Sequence, residues 1–174
     1  GEACTRWVLK TPAHLGYLDL LQQTFPDAHL IHMHRDPQDT IVSGASLNAT
    51  LWRMHQDRVD AHEVGRQWLQ RMVWSNNRAM QFRSQPGMAK VGVTDILFKD
   101  ALSDPVAQVR KIYREAEIDL DGQAGAAMQT WLDRDQHSTL PRHTYTAEDF
   151  GLSAEQIAGE FEAYNNRYLK QDSR

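Results

Sequence analysis

One cysteine, Cys4, stands among the 174 residues, so no internal disulfide can form. No neighbouring group would activate its thiol, which is expected to be inert. No stretch approaches the roughly 18 apolar residues of a membrane-spanning helix, and no signal-peptide pattern opens the sequence. Basic residues are not in excess: 19 Lys and Arg face 23 Asp and Glu, for a net charge of -4. Their scatter excludes the clustered basic face of a general nucleic-acid binder. Internal repeats and low-complexity segments are also missing. The expectation is one cytoplasmic globular domain, long enough to bury about two-thirds of its unfolded surface. Gly1 to Arg6 holds no initiator methionine, and a strand is expected almost at once at Trp7. Residues 1–174 are therefore expected to be a single domain truncated at its N-terminus.

Hydrophobic spacing sets out the elements. Leu15, Leu18, Leu21 and Phe25 form a helical stripe over 13–25, ended by Pro26-Asp27. Leu30 to His34 reads as a short buried strand. A helix follows toward Trp52, and another spans 61–85 with Val64, Trp68, Met72 or Val73, and Phe82 at core spacing. Residues 88–98 alternate toward β, and Asp104-Pro105 opens a helix through Val106, Val109, Ile112 and Tyr113. Further helices are expected at 124–132 and 152–169, with a polar loop at 137–146. Strand alternating with helix predicts an α/β domain with a parallel sheet covered by helices.

Two strand-to-helix junctions concentrate the chemistry. The first reads Trp7-Val8-Leu9-Lys10-Thr11-Pro12-Ala13-His14, the second Leu30-Ile31-His32-Met33-His34-Arg35-Asp36-Pro37, with Ser43 two helical turns on. Ligands of open α/β sheets sit beyond the carboxyl ends of the strands, so Lys10 and Arg35 are expected to point into one crevice. Asp36 suits an N-cap, Pro37 the first helical position, and Asp39 the positive end of the helix dipole. Arg35 offers a planar fork that fits a phosphate, and Ser43 can add a hydroxyl. The same spacing also suits an Arg35 paired with an acidic neighbour. His14 could serve as a base near neutrality or merely cap and pack at a helix start. His32 and His34 share a strand face, but no carboxylate or cysteine nearby in sequence completes a metal site, and no metal is expected. The Trp and Met stripes read as helix cores, although Trp52 and Trp74 could line an acceptor pocket.

Several short motifs in one order resemble the sulfotransferases that use 3′-phosphoadenosine 5′-phosphosulfate (PAPS), especially their broad, largely bacterial branch. Lys10-Thr11-Pro12-Ala13-His14-Leu15 is similar to that branch's Lys-Ser-Pro-x-His-Leu element. Phe25-Pro26-Asp27-Ala28, Ile31, and His34-Arg35-Asp36-Pro37 through Ser43 resemble its 3′-phosphate-binding element. Phe98-Lys99-Asp100 with Asp104-Pro105 resembles the Tyr-x-Asp-Leu-x-x-Asp-Pro segment, with Phe98 in place of tyrosine and Ala101 in place of leucine. His143-Thr144-Tyr145 and Glu148-Asp149-Phe150-Gly151-Leu152 are similar to the C-terminal signature. The glycine-rich, P-loop-like segment that cradles the 5′-phosphosulfate has no counterpart before Lys10.

The resemblance implies a P-loop-NTPase-like parallel sheet flanked by helices, as a partial sulfotransferase domain. It implies PAPS as co-substrate and sulfuryl transfer to a hydroxyl or amine of a small-molecule or glycan acceptor. It assigns Lys10 and His14 to catalysis, and Arg35, Ser43, Phe98 and Arg142 to the nucleotide. Two other functions stay open: an inactive remnant that binds 3′-phosphoadenosine nucleotides, and a P-loop-related small-molecule kinase. The kinase is disfavoured because the Arg35 and Ser43 clamp serves a 3′-phosphate, which ATP lacks.

Overall fold

Two parallel strands and the helices around them form the frame. The computed structural model describes residues 7–86, 92–135 and 145–170. A 3-10 turn over Pro12–Tyr17 runs into α1 (Leu18–Thr24), and Pro26-Asp27 turns the chain into β1 (Leu30–His34). Next come α2 (Pro37–Arg53), α3 (Ala61–Arg83), β2 (Val93–Leu97), α4 (Phe98–Ser103), α5 (Pro105–Glu115) and α6 (Gly122–Asp135). After a 3-10 turn at Glu148–Phe150, α7 (Ala154–Glu160), α8 (Glu162–Tyr164) and a π turn (Asn165–Leu169) complete the order.

The long helices start where short polar side chains can accept from their unpaired N–H groups. Asp36 caps α2 through Gln38 N at 2.9 Å, Asp60 caps α3 through His62 N at 2.9 Å, and Asp104 caps α5 through Ala107 N at 2.9 Å. Ser153 caps α7 in the same way. Pro37 and Pro105 occupy first-turn positions where no intrahelical N–H is needed.

The core lies where α2 and α3 meet the C-terminal segment. Ile41, Val42, Ala45 and Ala49 of α2 pack with Val64 and Leu69 of α3 and with Phe150, Leu152, Ile157, Phe161 and Tyr164. Close approach depends on small residues. A Cβ on Gly44 would strike the Trp68 ring, and one on Gly65 would strike the Phe150 backbone. Two fully buried isoleucines of this core, Ile41 and Ile157, each contribute about 1.5–3 kcal/mol by removal from water.

Three expectations from the sequence need correction. Trp7 to Leu9 is no strand: the described residues offer it no ladder, and its side chains are exposed. Among the described residues β1 pairs with β2 alone and is buried on one face, not both: His32 and His34 lie on the packed side while Ile31 and Met33 are half exposed. The final helix is not continuous over 152–169. It breaks at Phe161 and widens into the π turn, which rotates Tyr164 and Tyr168 toward β1. The strand expected over 88–98 forms at Val93–Leu97; residues 87–91 and most of the loop expected at 137–146 lie outside the described residues. No helix among the described residues is long and apolar enough to cross a membrane.

Candidate active site

The parallel register aligns His34 with Leu97, so the residues that follow, Arg35 and Phe98, leave the sheet side by side at its carboxyl edge. The Arg35 guanidinium lies over the Phe98 ring, 4.5 Å from its centroid. This is an attractive cation–π contact that also restricts the side chain. The junction beneath it is held by the Asp36 cap, by Asp39 N and Thr40 N donating to the Asp36 carbonyl at 3.1 Å, and by Gln38 Nε2 donating to the Ala154 carbonyl at 2.8 Å. Ser43 stands half-buried on α2, two turns from Arg35.

Arg35 does meet an acidic neighbour, because Nη2 reaches Asp39 Oδ2 at 3.4 Å. That pair is long and its side chains are 38% and 61% exposed, so it adds little. Arg35 Nε is buried and has no hydrogen-bond partner. A cation with an unmet donor at the carboxyl edge of a parallel sheet is suited to an anion.

Lys10 is exposed in the lead-in to the 3-10 turn, and His14 is half-buried in that turn, which packs along α3. Trp74 lies against Gly16 and the Tyr17 ring at the same surface. Among the described residues no hydrogen bond or ion pair joins Lys10 or His14 to the Arg35 cluster. Arg142 lies outside the described residues.

Behind Arg35 is a polar network that the sequence alone does not reveal. Arg83 of α3 grips both Asp95 oxygens at 2.7 Å and also approaches His32 Nδ1 at 3.2 Å. His34 Nε2 meets Asp95 Oδ1 at 2.8 Å, and His34 Nδ1 meets the Tyr164 hydroxyl at 3.1 Å. Tyr168 stacks on His34 with centroids 4.2 Å apart. Burial pushes the Asp95 carboxyl up, but its bonds and charge pairing with His34 and Arg83 outweigh this and hold it well below the usual carboxylate range. His32 is pushed down to about 3, by burial first and then by the His34 and Arg83 charges, so its ring is neutral at physiological pH.

A carboxylate does therefore stand beside His32 and His34, contrary to the sequence reading: one ligand atom from each of His32, His34 and Asp95 lies within 4.8 Å of the others. The Arg83 guanidinium already engages two of these three residues, Asp95 at 2.7 Å and His32 Nδ1 at 3.2 Å. A metal ion there would have to displace a cation already bound bidentately to the carboxylate. The signal that could have found Asp95 is its spacing from Phe98 in a strand parallel to β1, which aligns it with His32.

A model of the sulfotransferase family matches residues 2–122. The chain belongs to the sulfotransferase family. It is similar to the omega-hydroxy-beta-dihydromenaquinone-9 sulfotransferase Stf3 of Mycobacterium bovis and that of Mycobacterium tuberculosis, 25% identical to each over 154 residues. Those alignments cover 87% of the chain and 37% of each relative. Among solved structures, sulfotransferase STF9 from Mycobacterium avium matches with a TM-score of 0.78 and 27% identity, over 94% of the chain and 42% of STF9. Sulfotransferase STF1 from Mycobacterium tuberculosis matches with a TM-score of 0.71 and 28% identity, over 91% of the chain and 40% of STF1. The chain thus spans less than half the length of these relatives.

Proposed function

We propose that the chain carries the 3′-phosphate-binding edge and the catalytic turn of an enzyme that moves a sulfuryl group from PAPS to a hydroxyl or amine of a small-molecule or glycan acceptor. The observation that carries this reading is the Arg35 guanidinium, laid on Phe98 at the ends of paired parallel strands with Nε unpartnered. A small movement at the tip of that side chain would present two donors to a phosphate, with the Ser43 hydroxyl and Arg142 adding to the clamp. Phe98 supports the guanidinium and gives the nucleotide an aromatic face in place of a phenol.

PAPS supplies an activated S–O bond: the acceptor oxygen forms a new bond to sulfur as the bond to the 5′-phosphate breaks. The products are the sulfated acceptor and adenosine 3′,5′-bisphosphate. His14 takes the acceptor proton, and Lys10 places positive charge beside the bridging oxygen on which negative charge grows. Catalysis of this kind rests on positioning and electrostatics, as in phosphoryl transfer.

The test is transfer of labelled sulfate from PAPS by the full-length protein to a panel of alcohols and amines. Transfer that falls by at least about tenfold in Arg35→Ala, at donor concentrations below saturation, is expected. Transfer from PAPS that is indifferent to Arg35→Ala would overturn the assignment.

A further inference from the structure

We propose that Arg83, Asp95, His34 and Tyr164 form a positioning chain that fixes the backbone of Arg35 and thereby selects for a 3′-phosphate. This rests on Arg35 as the 3′-phosphate ligand and adds how the protein holds that ligand in place. Four elements contribute: Arg83 comes from α3, Asp95 from β2, His34 from β1 and Tyr164 from α8. The bonds run without a gap, at 2.7 Å from Arg83 to Asp95, 2.8 Å from Asp95 to His34 and 3.1 Å from His34 to Tyr164.

The direction of the bonds follows from donor chemistry. Asp95 is ionised and can only accept, so His34 Nε2–H donates to it. With that proton on Nε2, a neutral His34 ring accepts at Nδ1 from the Tyr164 hydroxyl and a protonated ring donates to its oxygen, so the link holds in either form. Burial raises the Tyr164 hydroxyl above its ordinary range, so it stays protonated. The phenol thus fixes the His34 ring, and His34 is joined directly to Arg35 along the chain. Lys111 of α5 donates to the Asp95 carbonyl at 2.7 Å and steadies the other side of the chain.

Packing alone does not account for this arrangement. His34 is 1% exposed and Tyr164 5%, and burying an imidazole and a phenol costs free energy unless each polar atom is met. Two apolar residues of similar shape would fill the space at no such cost. What the polar version adds is a fixed angle at the residue before Arg35, reinforced by Tyr168 stacked on the His34 ring. Tyr164 and Tyr168 reach this position because the last helix breaks at Phe161 and closes in a π turn. The C-terminal segment is therefore a working part of the nucleotide edge, although no hydrogen bond or ion pair joins it to the Arg35 guanidinium among the described residues.

The experiment measures calorimetric affinities of the full-length protein for adenosine 3′,5′-bisphosphate and for 5′-AMP. Tyr164→Phe keeps the ring and removes the hydroxyl. It is expected to weaken the bisphosphate about tenfold while leaving 5′-AMP within about twofold, and to have no further effect in an Arg35→Ala background. Asp95→Asn, which breaks the chain at another link, should behave in the same way and serves if the tyrosine variant does not fold. A variant that loses melting temperature but keeps the full preference for the bisphosphate overturns the proposal and leaves Arg35 as the ligand. Equal losses with and without Arg35 overturn it as well. A wild-type protein that binds both nucleotides equally removes the Arg35 reading and this proposal together.

Discussion

At the scale of single residues, the site is a guanidinium on an aromatic face, and each part has a measurable share. Phe98→Ala removes the surface beneath Arg35, 4.5 Å away. Cation–π contacts are worth about 0.5–2 kcal/mol, so adenosine 3′,5′-bisphosphate should bind roughly threefold to thirtyfold more weakly to the variant, read by calorimetry. Unchanged affinity would show that the ring does not hold Arg35. His14→Ala in the full-length protein should lower turnover by roughly a hundredfold and leave nucleotide affinity unchanged; near-normal turnover across pH would assign the base elsewhere. The places of Arg35 at a strand end, Asp36 at an N-cap and Ser43 two helical turns on were legible because they follow from local rules, whereas Phe98 was reached only through the family resemblance and its contact with Arg35 was not foreseen. His34 was legible only as a buried strand residue. Its partners Asp95 and Tyr164 are 61 and 130 residues away in sequence, and nothing in its own neighbourhood announces them.

At the scale of elements, the buried face of β1 links stability to pH. His32 titrates near 6.5 when unfolded but is pushed down to about 3 in the fold, so the unfolded chain binds more protons between those values. Its contribution is complete above about pH 6.5 and is lost progressively as pH falls toward 3. Asp95 acts lower: its pKa is depressed in the fold, so its contribution is present above about pH 4 and is lost below that. His32→Gln should flatten the stability profile from pH 7 to 4 by up to about 1.4 kcal/mol per pH unit, measured by urea unfolding; parallel profiles would contradict this. Packing of the helices gives a second test. Gly65→Ala drives a methyl into the Phe150 backbone and should lower the melting temperature despite alanine's better helix propensity. Gly159→Ala on α7 meets nothing within 4 Å and should gain about 0.5–1 kcal/mol. The capped helices were readable because Asp-Pro pairs and apolar stripes are local signals. The Trp7 strand was misread because its apolar pattern is strand-like, while a strand is made by a partner, and none pairs with it among the described residues.

At the scale of the whole molecule, the proposed function gives the chain the edge that grips a nucleotide's 3′ end, and the chain spans 37% of the curated sulfotransferases it matches. Residues 1–174, prepared alone, are expected to bind adenosine 3′,5′-bisphosphate yet transfer no labelled sulfate, because no glycine-rich cradle precedes Lys10 in them. Robust transfer by those residues would show that another segment fixes the reacting group. The central claim is that Arg35 reads a 3′-phosphate, and the most direct measurement compares two ligands that differ by that group alone. Calorimetry with adenosine 3′,5′-bisphosphate and 5′-AMP should show clear preference for the bisphosphate in the wild-type protein. Arg35→Ala should weaken the bisphosphate by about tenfold to a hundredfold and leave 5′-AMP almost unchanged, since a charge-assisted bond is worth roughly 1.5–3 kcal/mol. Equal affinity of the wild-type protein for both nucleotides, or an equal loss for both on removing Arg35, would contradict the account.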